Sequence, residues 1–247
     1  MSGIQVLGFR MSKLGNRSTD CEDFYSWDLA RMKFAMADGA SSSIFSDIWA
    51  RSLTQAAMDV NLSLDDSPDS LLLSVMKAAR KNWYGSIQWA GLPWFLRNKS
   101  VSGSHSTLLL MQAWPLASSY RYSAVAVGDT CMFVLKGQKV EDSFPLKQYS
   151  DFGNTPSLVW SGKGSPISAN VRMALPKYSA VSGTIAPGST VILATDAVSK
   201  WILEHGKPQE ILEVMGNDHA MKGFISREIN ARRMRNDDTA IVAIRIT

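Results

Sequence analysis

The feature that most restricts this chain is a strand that ends in an acid. Phe34-Ala35-Met36-Ala37 is an apolar run of strand type, and it stops at Asp38-Gly39-Ala40 before the polar Ser41-Ser42-Ser43. Val191-Ile192-Leu193-Ala194-Thr195 stops at Asp196 in the same way, and Asp237-Asp238 opens the strand-like run Thr239 to Ile246. A carboxylate set so close to apolar strands is costly unless a cation compensates it. Gly39 has no side chain, so its carbonyl can approach a ligand closely. Asp-Gly is also an ordinary turn dipeptide. The repetition, rather than any single instance, points to a cation site.

At 247 residues the chain is long enough for a sizeable core, and its 45% hydrophobic and 19% charged residues are those of a soluble globular protein. We read residues 1–247 as a single α+β domain, with antiparallel sheets covered by helices. The net charge of +4 is mild and dispersed. The densest basic run, Arg232-Arg233-Met234-Arg235, ends on Asp237-Asp238 and reads as the end of a helix, where cations complement the dipole, rather than as a nucleic-acid patch. The two cysteines, Cys21 and Cys131, make neither a disulfide framework nor a zinc site. With no signal peptide at the N-terminus and no apolar run near the ~20 residues that span a bilayer, a reducing, cytoplasmic location is expected.

Along the chain, residues 4–11, 24–27 and 32–37 read as strands. Phe45, Ile48, Trp49, Leu53, Ala56, Ala57 and Val60 fall at helical spacing. Asp65-Asp66-Ser67-Pro68 signals the start of a second helix, carrying Leu72, Val75, Met76, Ala79 and Trp83. Residues 83–95 are dense in aromatics and read either as a loop covering the core or as a hydrophobic surface for a partner. Residues 107–113, 122–127, 131–135 and 139–144 are strand candidates. Gly128-Asp129 and Lys136-Gly137-Gln138 sit where tight hairpin turns belong. Residues 147–182 show no period. Strand 190–195, helices 198–205, 208–215 and 220–235, and strand 239–246 complete the chain.

Glu22, Asp23, Asp38, Asp129, Asp196, Asp237 and Asp238 all lie at strand edges. The three histidines, His105, His205 and His219, are scattered and read as surface or capping residues. An all-oxygen set favours Mg²⁺ or Mn²⁺ over Zn²⁺. The alternative is that these acids are separate turn and cap residues.

The order Glu22-Asp23, Ala37-Asp38-Gly39, Ser106-Thr107-Leu108, Val127-Gly128-Asp129-Thr130, Pro187-Gly188, Ala194-Thr195-Asp196 and Asp237-Asp238 resembles the metal-dependent PPM-type (type 2C) serine/threonine protein phosphatases. Leu92-Pro93-Trp94-Phe95 and the run from Thr195 to Trp201 are most similar to a bacterial subgroup. The resemblance implies a four-layer sandwich of two antiparallel sheets flanked by helices. It implies a site for two Mn²⁺ or Mg²⁺ ions, and hydrolysis of phosphoserine and phosphothreonine by a metal-bound water. Carried over, Asp38 bridges the metals and the Gly39 carbonyl binds one. Asp196 and Asp237 hold the other, with Asp238 as the fallback for Asp237. Glu22 and Asp23 hold metal-bound waters, and Arg17 binds phosphate. Asp129 matches one ligand of a third metal found in some members, but Lys200 stands where the other would be, so two well-occupied sites are expected.

The leading reading is therefore a cytoplasmic bacterial phosphoprotein phosphatase used in signalling. Its partners would be a phosphoprotein substrate and a cognate serine/threonine kinase, with neither nucleic acid nor membrane. The rivals are a pseudophosphatase that binds phosphoproteins and, more weakly, a nucleic-acid-binding domain.

Overall fold

The computed structural model describes residues 3–60, 67–100, 102–153, 155–162 and 174–246. Its layering follows from alternation along the strands. In β3 (Lys33–Asp38), Phe34 and Met36 point to one face and Ala35 and Ala37 to the other. The large pair fills the space between two sheets, and the small pair leaves room for a helix to pack closely. The same division runs through β5 (Leu108–Pro115), β6 (Tyr120–Val127), β7 (Cys131–Lys136), β11 (Ser189–Ala194) and β12 (Thr239–Ile246). Leu109, Met111, Val134, Leu193 and Val242 face the intersheet core, whereas Leu110, Val125, Phe133, Ile192 and Ile241 face helices.

One sheet has the order β1-β12-β11-β7-β8, with β1 at Ile4–Met11 and β8 at Lys139–Phe144. The other has the order β10-β6-β5-β3-β2, with β2 at Asp23–Asp28 and β10 at Ser179–Ile185. All pairings in both are antiparallel. Helices α1 (Ser46–Asp59) and α2 (Pro68–Gly85) cover the second sheet. The first is covered by α4 (Asp196–His205), α5 (Pro208–Val214) and α6 (Asp218–Asn230). The result is a four-layer α+β sandwich. A short α3 (Trp94–Ser100) and a two-stranded pair, β4 (His105–Ser106) with β9 (Val159–Trp160), lie outside these layers.

Four expectations from the sequence need correction. Gly128-Asp129 does not close a hairpin: β6 and β7 lie in different sheets, so this turn carries the chain across the sandwich. The last helix ends at Asn230, not Arg235. Arg232 is left-handed (φ 58), and the Arg233 and Met234 amides fold back onto the Glu228 carbonyl. The aromatic stretch is split between core and surface. Trp83 is buried beside Trp49 and Trp89, while Trp94 is 75% exposed. Finally, β10 begins within the stretch that showed no period, because an edge strand rich in Ser, Gly and Thr has no apolar run. Residues 154 and 163–173 of that stretch, and Asp65 and Asp66 of the α2 start signal, lie outside the described residues. Ser67 does cap α2, accepting from the Ser70 amide at 3.2 Å. Both cysteines are buried and free, and among the described residues no helix is long and apolar enough to cross a membrane.

Candidate active site

Antiparallel pairing brings the acid-bearing strand ends to one edge of the sandwich. Asp23, which opens β2, pairs directly with Asp38, which closes β3. Ala194, the last residue of β11, pairs with Ile241 near the start of β12, so Asp196 and Asp237 meet at the end of the other sheet. The Thr195 hydroxyl accepts from the Ala240 amide at 2.9 Å, and the Thr195 amide donates to the Ala240 carbonyl at 3.1 Å, which fixes that junction.

Asp38 is held by its backbone. Its amide donates to the Thr107 hydroxyl at 2.9 Å. Its carbonyl accepts from the Ser106 hydroxyl at 2.7 Å and the Thr107 amide at 2.8 Å. Thr107 and Thr130 share a hydroxyl–hydroxyl bond of 2.6 Å, tying the crossing turn that carries Asp129 to the same point. Gly128 (φ +94) is obligatory in that turn, since a Cβ would lie 2.7 Å from the Thr107 methyl. At Gly39 a Cβ would come within 2.8 Å of both the Glu22 and Ser46 carbonyl oxygens, so only glycine lets β2 and α1 close over it.

A cleft of about 770 Å³ opens here, lined by Asp38, Gly39, Asp129, Asp196 and Asp237, with Lys200 and Arg235 among the other residues of its wall. Asp23 is buried opposite Asp38, 1% exposed, and neither of its carboxylate oxygens has a hydrogen-bond partner. Burial pushes its pKa well up. The nearby Thr195 hydroxyl eases the charge although it donates to the Ala240 carbonyl at 3.4 Å, and Asp238, Asp196 and Asp237 add repulsion. Asp38 is also raised well above the usual carboxylate range, first by burial and then by Asp23, Asp196, Asp129 and Asp237. Asp129 is pushed up to about 6 by burial and by Asp196, with Lys200 and Arg235 opposing.

The two candidates at the end of the chain stand in different surroundings. Asp238 is spent on backbone, accepting from the Lys13 amide at 2.8 Å and the Glu22 amide at 2.6 Å. Asp237 lines the cleft. Glu22 stands to one side, its oxygens taking the Ser41 and Ser46 hydroxyls. Arg17 is exposed before a 3₁₀ turn at Ser18–Asp20 and is not part of the cleft wall. Arg235 went unrecognised in the sequence. Its guanidinium lies 3.5 Å from Asp196 and 3.2 Å from Asp237, and the Lys200 ammonium lies 3.3 Å from Asp196. The signal was present, in a basic run that ends on two acids, but it read as a helix end.

Among the described residues no group of three or more His, Cys, Asp and Glu side chains stands ready-made to hold a metal ion. The donors nevertheless suit hard divalent cations: they are carboxylates and a bare glycine carbonyl, and buried Asp23 has two unpartnered oxygens.

No family model and no curated protein matches the chain. Solved structures do. PppA, a key regulatory component of T6SS in Pseudomonas aeruginosa, superposes with TM-score 0.63 at 15% identity, covering 100% of both chains. The catalytic domain of the serine threonine protein phosphatase PstP, in complex with two manganese ions, gives 0.60 at 13%, again over 100% of both. The photosystem II phosphatase PBCP gives 0.58 at 14%, over 99% of both. The fold is that of the PPM-type phosphatases. Four of the residues that the sequence resemblance names for metal, Asp38, Gly39, Asp196 and Asp237, line the acidic cleft.

Proposed function

We propose that residues 1–247 form one PPM-type domain that hydrolyses phosphoserine and phosphothreonine in proteins, dependent on Mn²⁺ or Mg²⁺. The observation that carries this reading is the buried, unpartnered Asp23 set directly across from Asp38 at a cleft of about 770 Å³. An isolated protein has no reason to keep such a pair ionised, and a site for cations gives one. Asp38 and the Gly39 carbonyl would hold one ion. Asp38, Asp196 and Asp237 would hold a second. Glu22 and Asp23 would orient hydration, Glu22 with its carboxylate fixed by Ser41 and Ser46. When bound, two such ions activate water and neutralise phosphoryl charge. Lys200 and Arg235 keep Asp196 and Asp237 compensated and present donors to a phosphoryl group entering the cleft. A bacterial cytoplasm, with a signalling kinase as the source of substrate, fits this reading.

The same ion pairs favour a second reading, a phosphoprotein-binding regulator in which protein cations take the place of metal. Mn²⁺-dependent hydrolysis of p-nitrophenyl phosphate and of a phosphothreonine peptide separates the two. We expect turnover that is lost in EDTA and lost in Asp38→Ala, with the fold retained by its melting curve. No turnover at saturating Mn²⁺ overturns the phosphatase reading, and more than about a tenth of wild-type turnover in Asp38→Ala, a barrier change of under ~1.4 kcal/mol, overturns the role given to Asp38.

A further inference from the structure

A second cavity, of about 350 Å³, adjoins the acid-lined cleft, and the two share Lys200 and Arg235 as walls. Its character is opposite. Arg232 and Arg233 join Lys200 and Arg235 around it, against one lining carboxylate, Glu204. Arg233 is committed to the buried Glu228, which its guanidinium grips at 2.7 and 2.8 Å. Arg232 is exposed and makes no ion pair among the described residues. Its left-handed backbone, fixed by the fold-back over the end of α6, holds it at this rim rather than along a helix. Tyr149 and Asn236 add polar groups to the lining, and Ala197, Ile229 and Met234 add apolar ones.

We infer that this cavity is a substrate subsite for an anionic side chain, a carboxylate or a second phosphate, that flanks the phosphoryl residue on a peptide. The inference rests on the phosphatase reading for what occupies the cleft. An extended peptide advances about 3.3–3.6 Å per residue, so a group one to three positions from the phosphoryl residue crosses a wall one side chain thick. Arg235 and Lys200 face the cleft acids on one side. Arg232 supplies the uncommitted charge on the other.

The test uses the full chain with fluorescein-labelled phosphothreonine peptides that carry Ala, Asp or phosphoserine at each flanking position. Arg232→Asn removes the charge with a residue that tolerates left-handed backbone, and Arg232→Lys restores it. Expected is a kcat/KM about two- to fivefold higher for the Asp and phosphoserine peptides at one or two positions, an effect of the size of screened surface pairs. That preference should vanish in Arg232→Asn, return in Arg232→Lys and weaken with added salt. Hydrolysis of p-nitrophenyl phosphate, which has no flank, should be unchanged in both variants. A kcat/KM indifferent to the flank, or an equal fall for all substrates in Arg232→Asn, overturns the inference. If no substrate turns over, the phosphatase reading fails, and anisotropy of the same peptides still decides the subsite. Tighter binding of acid-flanked peptide to wild type than to Arg232→Asn supports it, and equal binding overturns it. Displacement of the peptide by single-stranded DNA at equal phosphate concentration would assign the cavity to nucleic acid instead.

Discussion

Asp23 and Glu228 are buried alike, 1% and 2% exposed, and the chain surrounds them in opposite ways. Glu228 receives the Arg233 fork, the Arg227 guanidinium at 3.2 Å and the Trp201 indole at 3.1 Å. Arg233 leads in holding its carboxyl down at about 2. Asp23 receives no hydrogen bond, faces Asp38 across the ladder, and is pushed well up by burial. The first is closed by its own protein and serves the fold, stitching α6 to α4. The second is left open, and a buried acid left open is what an external cation requires.

The sharpest way to break this comparison is to neutralise each acid. Asp23→Asn is expected to lower turnover at least a hundredfold, about 2.7 kcal/mol of barrier. The same change should leave the melting temperature in EDTA at pH 8 equal or higher, because a repulsive cross-strand pair has been relieved. Glu228→Ala is expected to do the reverse, keeping turnover in the folded fraction while destabilising the protein. Orphaning the buried Trp201 indole alone costs about 1–3 kcal/mol. Melting curves and kinetics on both variants check this. A fall in the EDTA melting temperature of Asp23→Asn would mean that Asp23 is a structural acid after all.

The two acids also predict opposite limbs of a pH–stability curve for the metal-free protein. Asp129, raised from 3.8 to about 6, makes the folded state bind more protons than the unfolded chain across that window. Asp23 and Asp38 shift in the same direction. Stability therefore falls as pH rises through the window, by about 2–3 kcal/mol for Asp129 alone at ~1.36 kcal/mol per pKa unit. Glu228, lowered from 4.5 to about 2, contributes stability that is present above 4.5 and lost as pH falls toward 2. Metal-free protein should melt highest near pH 3–4, where the two windows meet, and Mn²⁺ at pH 8 should recover the loss on the alkaline limb. An alkaline limb that Mn²⁺ does not lift would detach the raised acids from cation binding.

The strands and the acid edge were legible in the sequence because both follow from local rules, whereas the four layers came from the family resemblance. An apolar run such as Phe34-Ala35-Met36-Ala37 marks a strand, and an acid that ends it marks a strand mouth. What was not legible depends on which sheet a strand joins. Gly128-Asp129 has the composition of a hairpin turn, and only the pairing of β6 with β5 and of β7 with β11 makes it a crossing. The choice between Asp237 and Asp238 likewise depends on Lys13 and Glu22, more than two hundred positions away in sequence. Arg235 was hidden by a helical period that runs out at Asn230, where the fold-back onto the Glu228 carbonyl ends the helix.

The smallest expected effect concerns Arg17, the arginine least like Arg233. Arg233 is pinned by a buried acid, whereas Arg17 is exposed, pairs with no carboxylate among the described residues, and stands outside the cleft wall. Its backbone is steadied, with the amide donating to the Asp20 carboxylate at 3.2 Å just ahead of Glu22 and Asp23. The family resemblance gives this long side chain a bound phosphoryl group as its target, but water screens an exposed cation and ordering it costs rotamer freedom. Arg17→Ala is therefore expected to raise KM for a phosphothreonine peptide by about two- to fivefold. kcat and the Mn²⁺ dependence should stay as they were, since the change removes binding shared by ground and transition states. Steady-state kinetics at several Mn²⁺ concentrations decide it. An unchanged KM would leave Lys200 and Arg235, already inside the cleft, as the phosphate-binding cations. A fall in kcat with KM constant would place Arg17 on the transition state, which its exposed position argues against.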